Sequence, residues 1–289
     1  MFSGAYELAT KFTKPVVLST KTYDGTVISG CAAYILLNNE GWILTANHVI
    51  QPSIDLDTHK RMVQAFEVAK QQILRNVNLR KRQKEHRIAE LNPNKKWLTN
   101  VSFWWGNNAY RINTFHYFPA GDLAIGQIEN YTPEAGQIYP KFIDPSRMRL
   151  ATSLCKLGFP FHEIKSTFDN GTFHLAPNAL PIPFFPIDGI FTRELFDNSQ
   201  QFEFPVRYIE TSSPGLKGQS GGPVFDKDGN IWAMQVRTNF LSLGFKPKLK
   251  DENGNEVEEN QFINVGIGVH PLTIIPFLDK YHVSYEKAV

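Results

Sequence analysis

Short apolar runs separated by turn residues dominate the hydrophobic pattern of this 289-residue chain. Runs rich in β-branched and aromatic residues, bounded by Gly, Asn, Asp and Pro, are typical of strands. The first half predicts a strand after Lys14 and a hairpin of residues 27–37 and 42–46 around the turn Asn38-Asn-Glu-Gly41. The other strands predicted in this half are 101–105, 110–118 and 123–128.

The second half repeats this pattern. Residues 132–147 are rich in Pro, Gly and charge and indicate a crossover, so we expect one domain over 1–135 and another over 136–289. The proline-rich residues 176–190 favour an irregular loop, and 271–281 favour a short closing helix. Two sequential sets of strands predict an all-β fold of two antiparallel barrels or sandwiches. The strands predicted in the second half are 153–158, 171–175, 208–211, 223–225, 231–237 and 263–269.

One segment, from about residue 57 to 91, breaks the β pattern. It has no Gly or Pro, and apolar residues recur at spacings of four, three, four and four, which places them on one helix face. The segment predicts either a rod of about 50 Å or a helical hairpin broken near residues 76–78. After Asp57 it holds nine Lys and Arg residues against three Glu, so it is a basic insertion in the first half. The predicted face is Met62, Phe66, Ala69, Ile73 and Val77.

Composition adds little about partners. The chain is 42% hydrophobic and 20% charged, with a formal net charge of +2. No apolar run has the length of a signal peptide or a membrane span, so we expect a cytoplasmic protein that binds no membrane. Cys31 and Cys155 lie in apolar runs and are expected to be reduced core residues, with a disulfide between them as the alternative. We expect no metal and no cofactor.

The candidate chemistry centres on residues 218–224, Gly-Gln-Ser-Gly-Gly-Pro-Val. This segment places Ser220 on a tight bend before a buried strand, as a nucleophile would be presented. A serine nucleophile needs a histidine base and a carboxylate that orients it. His48, at the end of an apolar strand, and Asp122, in Gly-Asp-Leu-Ala-Ile, are the candidates, although a rim histidine and a turn aspartate are the ordinary alternatives. The two acids nearer to the histidine are assigned to the start of the predicted helix: Asp55 and Asp57.

Three motifs in the order His–Asp–Ser, Thr-Ala-Asn-His-Val, Gly-Asp-Leu-Ala-Ile and Gly-Gln-Ser-Gly-Gly-Pro-Val, resemble the chymotrypsin-like (trypsin-fold) serine proteases. The likeness is closest to the HtrA-type branch, here without a PDZ domain. The resemblance implies two antiparallel β-barrels. The helical insertion predicted in the first barrel is not part of the family's core, and a short C-terminal helix closes the predicted fold. It also implies that Ser220 is the nucleophile, His48 the general base and acid, and Asp122 the residue that orients His48. The backbone amides of Gly218 and Ser220, with Gln219 between them, would form the oxyanion hole.

The same resemblance places the walls of the substrate pocket. They would include Pro214 and Gly215 on one side and Gln235, Val236 and Arg237 on the other. Proline stands six residues before the serine, where enzymes that cleave after Lys or Arg have an acid. We therefore expect a small or apolar residue before the cut, with Arg237 contacting a substrate carboxylate as the alternative.

The leading hypothesis is a serine endopeptidase that hydrolyses proteins or peptides and is regulated by a protein partner at residues 57–91. The alternative is a latent or inactive protease fold that serves as a binding module and docks a partner through the same insertion. Contact with nucleic acid is disfavoured because the basic segment lacks interleaved aromatic residues.

Overall fold

The computed structural model describes residues 1–199, 201–250, 252, 256–258 and 261–288. The helices in these residues are α1 Ser3–Phe12, α2 Asn47–Arg75, α3 Lys81–Glu90 and α4 Pro271–Lys280. The strands up to residue 127 are β1 Thr13–Thr22, β2 Val27–Leu36, β3 Trp42–Ala46, β4 Leu98–Trp104, β5 Phe115–Phe118 and β6 Leu123–Gln127. The later strands are β7 Lys141–Phe142, β8 Ser153–Gly158, β9 Ser166–Asp169, β10 Thr172–Leu175, β11 Phe185–Asp197, β12 Val206–Thr211, β13 Pro223–Phe225, β14 Ile231–Ser242, β15 Lys248–Lys250, β16 Glu256–Glu258, β17 Phe262–Val269 and β18 Glu286–Lys287.

The first half forms a six-stranded antiparallel sheet in the order β4-β1-β2-β3-β6-β5. Strand β3 is almost entirely buried, in keeping with its apolar sequence. It pairs with β6 so that Ala46 lies opposite Leu123. Because the strands are antiparallel, the residues that follow Ala46 lie beside those that precede Leu123. This register places the segment that carries His48 next to the segment that carries Asp122.

The second half forms an eight-stranded sheet in the order β13-β8-β11-β12-β17-β14-β7-β18. An additional pairing of β13 with β14 closes six of these strands into a ring. In the first sheet, the described pairings leave β4 and β5 at open edges. The expectation of a mostly β fold is confirmed, whereas two complete barrels are more than these pairings establish.

Three local expectations were wrong. Strand β11 extends over residues 185–197, although proline content favoured a loop as far as residue 190. The strand expected over 110–118 is confined to Phe115–Phe118. Helix α1 was not predicted, although it buries Ala5, Ala9 and Phe12 at helical spacing. In β11 the pairing with β8 supplies partners that outweigh local preference, because strand propensity depends strongly on the neighbouring strands.

Helix α2 starts at Asn47, ten residues before the expected start. His48 therefore lies in its first turn, and Pro52 lies inside the helix. Asp55 and Asp57 come after the first turn, so their assignment to the helix N-terminus was wrong. The helix continues directly from β3, which a proline at position 52 concealed from the sequence pattern.

The basic segment is a pair of helices, since α2 ends at Arg75 and α3 begins at Lys81. The predicted apolar face is only partly right, because Met62 is 44% exposed and Val77 is 91% exposed. Phe66 packs edge-on against Tyr23, with ring centroids 5.7 Å apart, and the Tyr23 hydroxyl hydrogen-bonds to Glu67. These contacts hold α2 against the first sheet and leave its basic side chains facing outward.

One hydrophobic core joins the two halves, with buried side chains from both sheets and from α4. Cys155 is buried and Cys31 is half-buried, and both are free thiols, so the disulfide alternative was wrong. Burial raises the pKa of the Cys31 thiol to about 12. No helix among the described residues is long and apolar enough to cross a membrane.

The C-terminal segment is tied to the β2–β3 turn through Asn38. Its side-chain amide donates to the carbonyl and the hydroxyl of Ser284, both at 2.9 Å. The side-chain oxygen of Asn38, Oδ1, accepts the backbone N–H groups of Glu40 and Trp42 at 3.1 and 3.2 Å. Asn38 is 7% exposed, so these groups would lack water as a substitute partner.

We expect Asn38→Ala to lower the free energy of unfolding by about 1–3 kcal/mol, because it leaves buried polar groups without partners. Urea denaturation measures this change. The matched control is Asn39→Ala at the exposed neighbouring position, which should stay within about 0.5 kcal/mol of the unsubstituted protein. Equal effects of the two substitutions would contradict the role of Asn38.

Candidate active site

His48 and Asp122 form the first contact of the site. Asp122 Oδ2 lies 2.8 Å from His48 Nδ1, and Asp122 Oδ1 accepts the His48 backbone N–H at 3.0 Å. The two carboxylate oxygens therefore fix both the ring and the backbone of one residue. The His48 side chain is 48% exposed, which leaves its far edge accessible from the solvent.

Asp122 also caps helix α2. The residue before this helix, Ala46, has no side chain that can cap it, and the Asp122 carboxylate accepts an amide of the first turn instead. The Asp122 carbonyl accepts the Asn47 amide at 3.1 Å. A carboxylate at a helix N-terminus is stabilised by the unpaired amides and the helix dipole. Residues from two distant segments are thereby joined.

The turn that carries Asp122 is supported by the second half of the chain. The Tyr208 hydroxyl of β12 donates to the Ala120 carbonyl at 2.9 Å. Gly121 packs so closely that a Cβ there would meet the Phe118 ring at 2.7 Å and Thr273 of α4 at 3.2 Å. Asp122 itself has a φ of +51°, which is uncommon for a residue other than glycine. These contacts from both halves maintain that backbone.

Ser220 lies against the first sheet, although it belongs to the second half. Its carbonyl accepts the Ala33 amide of β2 at 2.8 Å. Gly221 has a φ of +83°, and a Cβ there would lie 2.1 Å from the Ala33 carbonyl oxygen and 2.4 Å from Thr45 Oγ1. The glycine is thus required for the loop to approach β2 and β3. Thr45 precedes His48 by three residues, so the loop lies beside the strand that leads to the histidine.

Two backbone amides of the Ser220 loop are available to bind a substrate oxygen. Among the described residues, neither the Gly218 N–H nor the Ser220 N–H donates a hydrogen bond. The Gln219 N–H, by contrast, donates to the Leu216 carbonyl at 2.9 Å and is therefore not available for an oxyanion hole. The Gln219 side chain is fully buried, and its Oε1 accepts the Leu216 amide at 2.9 Å. This fixes the loop in the shape that leaves the two flanking amides free for an anion.

No hydrogen bond joins Ser220 to His48 in the described part of the chain. The Ser220 hydroxyl instead donates to the Val236 carbonyl at a long 3.5 Å. Catalytic hydrogen bonds are often long in the absence of substrate and shorten when it binds. The structure therefore places His48 and Asp122 in contact and Ser220 beside the same strands, with its hydroxyl not yet directed to the imidazole.

The five expected pocket residues lie on two segments that touch. A Cβ at Gly215 would meet Gln235 Nε2 at 2.0 Å, and the Gly215 carbonyl accepts the Thr238 hydroxyl at 2.5 Å. Val236 is buried and offers its carbonyl to Ser220. Arg237 is exposed and lies 4.7 Å from the centre of the Tyr208 ring.

The fifth expected residue, Pro214, reveals a neighbour that sequence reasoning missed. Its carbonyl accepts a hydrogen bond from Lys156 Nζ at 2.8 Å. Lys156 is 1% exposed and lies in β8. Burial lowers the pKa of this lysine to about 7. Its sequence signal was a charged residue in an otherwise apolar strand, Ser-Leu-Cys-Lys-Leu-Gly.

Fold and site together define a class of protein. A mostly β structure holds a histidine bound to an aspartate and, beside the strand that leads to this histidine, a serine framed by glycines, an arrangement typical of chymotrypsin-like serine hydrolases. The model of the trypsin-like peptidase domain matches residues 31–234, which is more than half of the chain. The chain therefore belongs to the trypsin-like peptidase family and is a trypsin-like serine protease.

Two solved structures show the same fold at low identity. The HtrA-type protease AlgW with a tripeptide matches at 12% identity and a TM-score of 0.50, over 98% of this chain and 64% of that one. An AlgW variant with a decapeptide matches at 11% identity and a TM-score of 0.50, over 99% and 68%. The Rv3671c protease of M. tuberculosis in its active form matches at 12% identity and a TM-score of 0.49, over 98% of this chain and 86% of that one. This chain thus spans about two thirds of AlgW. No curated protein matches it.

We expect Gly218→Ala to damage both the fold and the anion site. A Cβ at this position, where φ is +103°, would lie 2.4 Å from the Phe159 carbonyl oxygen, so the loop must move. The rate of fluorophosphonate labelling should fall by about 100-fold, as for loss of one oxyanion donor.

The matched control is Gly244→Ala, which also has a positive φ, of +77°, but has nothing within 4 Å of the added carbon. It should lower the free energy of unfolding by about 1 kcal/mol and leave labelling unchanged. If Gly218→Ala labels as fast as this control, the Gly218 amide has no part in the site.

Proposed function

We propose that the protein is a serine endopeptidase in which Ser220, His48 and Asp122 form the catalytic triad. The observation that carries the proposal is the Asp122 carboxylate bound to both the ring and the backbone of His48. Asp122 at Nδ1 fixes the tautomer in which Nε2 is free to accept a proton. The two amides without partners beside Ser220 support the same reading.

In the proposed reaction, the substrate carbonyl enters beside Ser220 and its oxygen faces the Gly218 and Ser220 amides. His48 Nε2 removes the hydroxyl proton while Oγ attacks the carbonyl carbon, and the two amides stabilise the negative oxygen that forms. His48 then gives this proton to the leaving amine, which produces the acyl-enzyme. Water, deprotonated by the same nitrogen, hydrolyses the ester, and Ser220 regains its proton. Asp122 stays ionised and stabilises the imidazolium.

We propose further that residues 1–135 and 136–289 form two barrels that share one cleft, and contacts between the two halves support this arrangement. The Ser220 carbonyl of the second half accepts a hydrogen bond from the Ala33 amide of the first half, and the Tyr208 hydroxyl donates to the turn before Asp122. A peptide would then add as a strand beside residues 235–238. The two free thiols fit a reducing compartment, and we propose that the protein acts in the cytoplasm.

The long contact from Ser220 to Val236 favours a second candidate, a latent protease that needs a trigger. In the latent state, Ser220 would not react until a partner or substrate turned its hydroxyl toward His48. We propose that the trigger is a protein with an acidic surface that binds the basic helices α2 and α3. The charge of these helices, which lie outside the two sheets, supports this assignment.

We expect the unsubstituted protein to react with a fluorophosphonate probe at Ser220 and Ser220→Ala to show no reaction. Asp122→Asn should lower kcat on a peptide substrate by about 10⁴, because the amide favours the wrong imidazole tautomer. Mass spectrometry of the labelled peptide and steady-state kinetics measure the two effects. An unsubstituted protein that stays unlabelled without any partner would support latency instead.

The proposed docking helices can be tested by reversing exposed charges on α3. Replacement of Lys81, Arg82 and Arg87 by Glu should leave fluorophosphonate labelling unchanged, because all three side chains are exposed and α3 holds none of the site residues. Binding to polyglutamate, used as a probe for acidic surfaces, should fall by about tenfold or more at low salt. A variant that binds polyglutamate as tightly as the unsubstituted protein would contradict this docking surface. Selective binding to duplex or single-stranded nucleic acid would favour the other partner class.

A further inference from the structure

A lysine without a counter-charge lies beneath the pocket segment. Lys156 Nζ donates to Thr211 Oγ1 at 3.0 Å, to the Ser213 carbonyl at 2.5 Å and to the Pro214 carbonyl at 2.8 Å. These acceptors are all uncharged oxygens. Among the described residues, no Asp or Glu forms an ion pair with Lys156. Three neutral acceptors satisfy the hydrogen-bonding capacity of the ammonium but leave its charge uncompensated.

An uncompensated buried lysine is costly for the fold. Lysine is almost never fully buried unless it is paired, and Lys156 is 1% exposed. The loss of hydration is also the main cause of its lowered pKa. A methionine of similar length would fill the same space without this penalty. A charged group in such a position is therefore a candidate for a functional role.

The ammonium lies where it can act on a substrate side chain. Its two carbonyl partners belong to Ser213 and Pro214, which precede Ser220 by seven and six residues and form the expected pocket wall. Gly266 of β17 makes room for it, since a Cβ there would come within 2.7 Å of Nζ. The charge is thus held directly behind the backbone that a substrate side chain would face.

Other polar groups around the same wall also lack partners. Ser213 Oγ and Gln235 Oε1 are buried and make no hydrogen bond in the described structure. Gln235 packs against Gly215, so its side chain spans the gap between the two pocket segments. Buried polar atoms without partners are rare in folded proteins and call for a ligand or a water. A pocket made for an apolar side chain would not need them.

We propose that Lys156 determines specificity and that the protease prefers Glu or Asp as the residue immediately before the scissile bond. The carboxylate of that residue supplies the negative charge that the ammonium lacks. This inference rests on the proposed endopeptidase function and replaces the expectation of a small or apolar residue at this position. A purely structural lysine, which only holds the pocket wall in place, is the competing explanation.

The test uses quenched fluorescent peptides that differ only in the residue before the cut, namely Glu, Asp, Gln, Leu or Lys. With the unsubstituted protein, kcat/KM should be about tenfold or more higher for Glu than for Gln, as expected for a charge-assisted interaction in a desolvated pocket. In Lys156→Met this ratio should fall to about two or less. The variant should still cleave the Gln and Leu peptides at a substantial rate. Mass spectrometry confirms that each peptide is cut after the varied residue.

Controls separate the possible failures. Lys14→Met removes another partly buried lysine, in β1, and should keep the preference for Glu. Fluorophosphonate labelling of each variant reports a folded, reactive Ser220 whatever the peptide. Labelling without a preference for Glu or Asp would overturn the specificity inference alone. If Lys156→Met lowers kcat/KM for all five peptides equally, the lysine only holds the pocket wall in place, and the specificity inference is wrong. Absence of labelling in the unsubstituted protein would overturn the active endopeptidase in favour of the latent protease, and the specificity inference, which rests on the active enzyme, would fall with it.

Discussion

The Asp122 carboxylate is the group on which the site depends, because it serves two structures at once. It caps the N-terminus of α2, where Ala46 offers no side chain, and it orients the His48 ring that this helix carries. The pairing of Ala46 with Leu123 brings the two segments together before any side chain acts. Strand register brings the two residues together, and a change of the Asp122 side chain alters both the helix cap and the imidazole tautomer.

The second constraint is the close contact between the two halves. Gly221 allows the Ser220 loop to touch β2 and β3, and the Tyr208 hydroxyl reaches back to the turn before Asp122. Each half thus positions a group that belongs to the other half. A shared hydrophobic core makes these contacts rigid, since packed interiors resist deformation. The Ser220 hydroxyl is held only by a long hydrogen bond to the Val236 carbonyl among the described residues, so it can turn more easily than the His48 ring or the Asp122 carboxylate.

The pocket shows where the structure departs from a purely stable design. In the part of the chain that the structure describes, the partners of buried Lys156 are all neutral, and two polar side-chain atoms next to it have no partner. Hydrophobic residues of the same size would pack with less loss of hydration energy. Such a conflict between local stability and residue choice is expected at functional sites. The proposed preference for Glu or Asp rests on this strand residue behind the pocket wall.

The sequence alone predicts the mostly β fold and a helical segment in the first half, because short apolar runs and helical spacing are local signals. It also names His48, Asp122 and Ser220 as candidates for the site, because their motifs are short. It did not determine the start of α2, which depends on a cap 74 residues away, nor β11, which depends on its pairing with β8. Lys156 appeared only as a lysine in an apolar run. Its three oxygen partners come from residues 55 to 58 positions away, because the groups around a buried charge depend on how distant segments pack together.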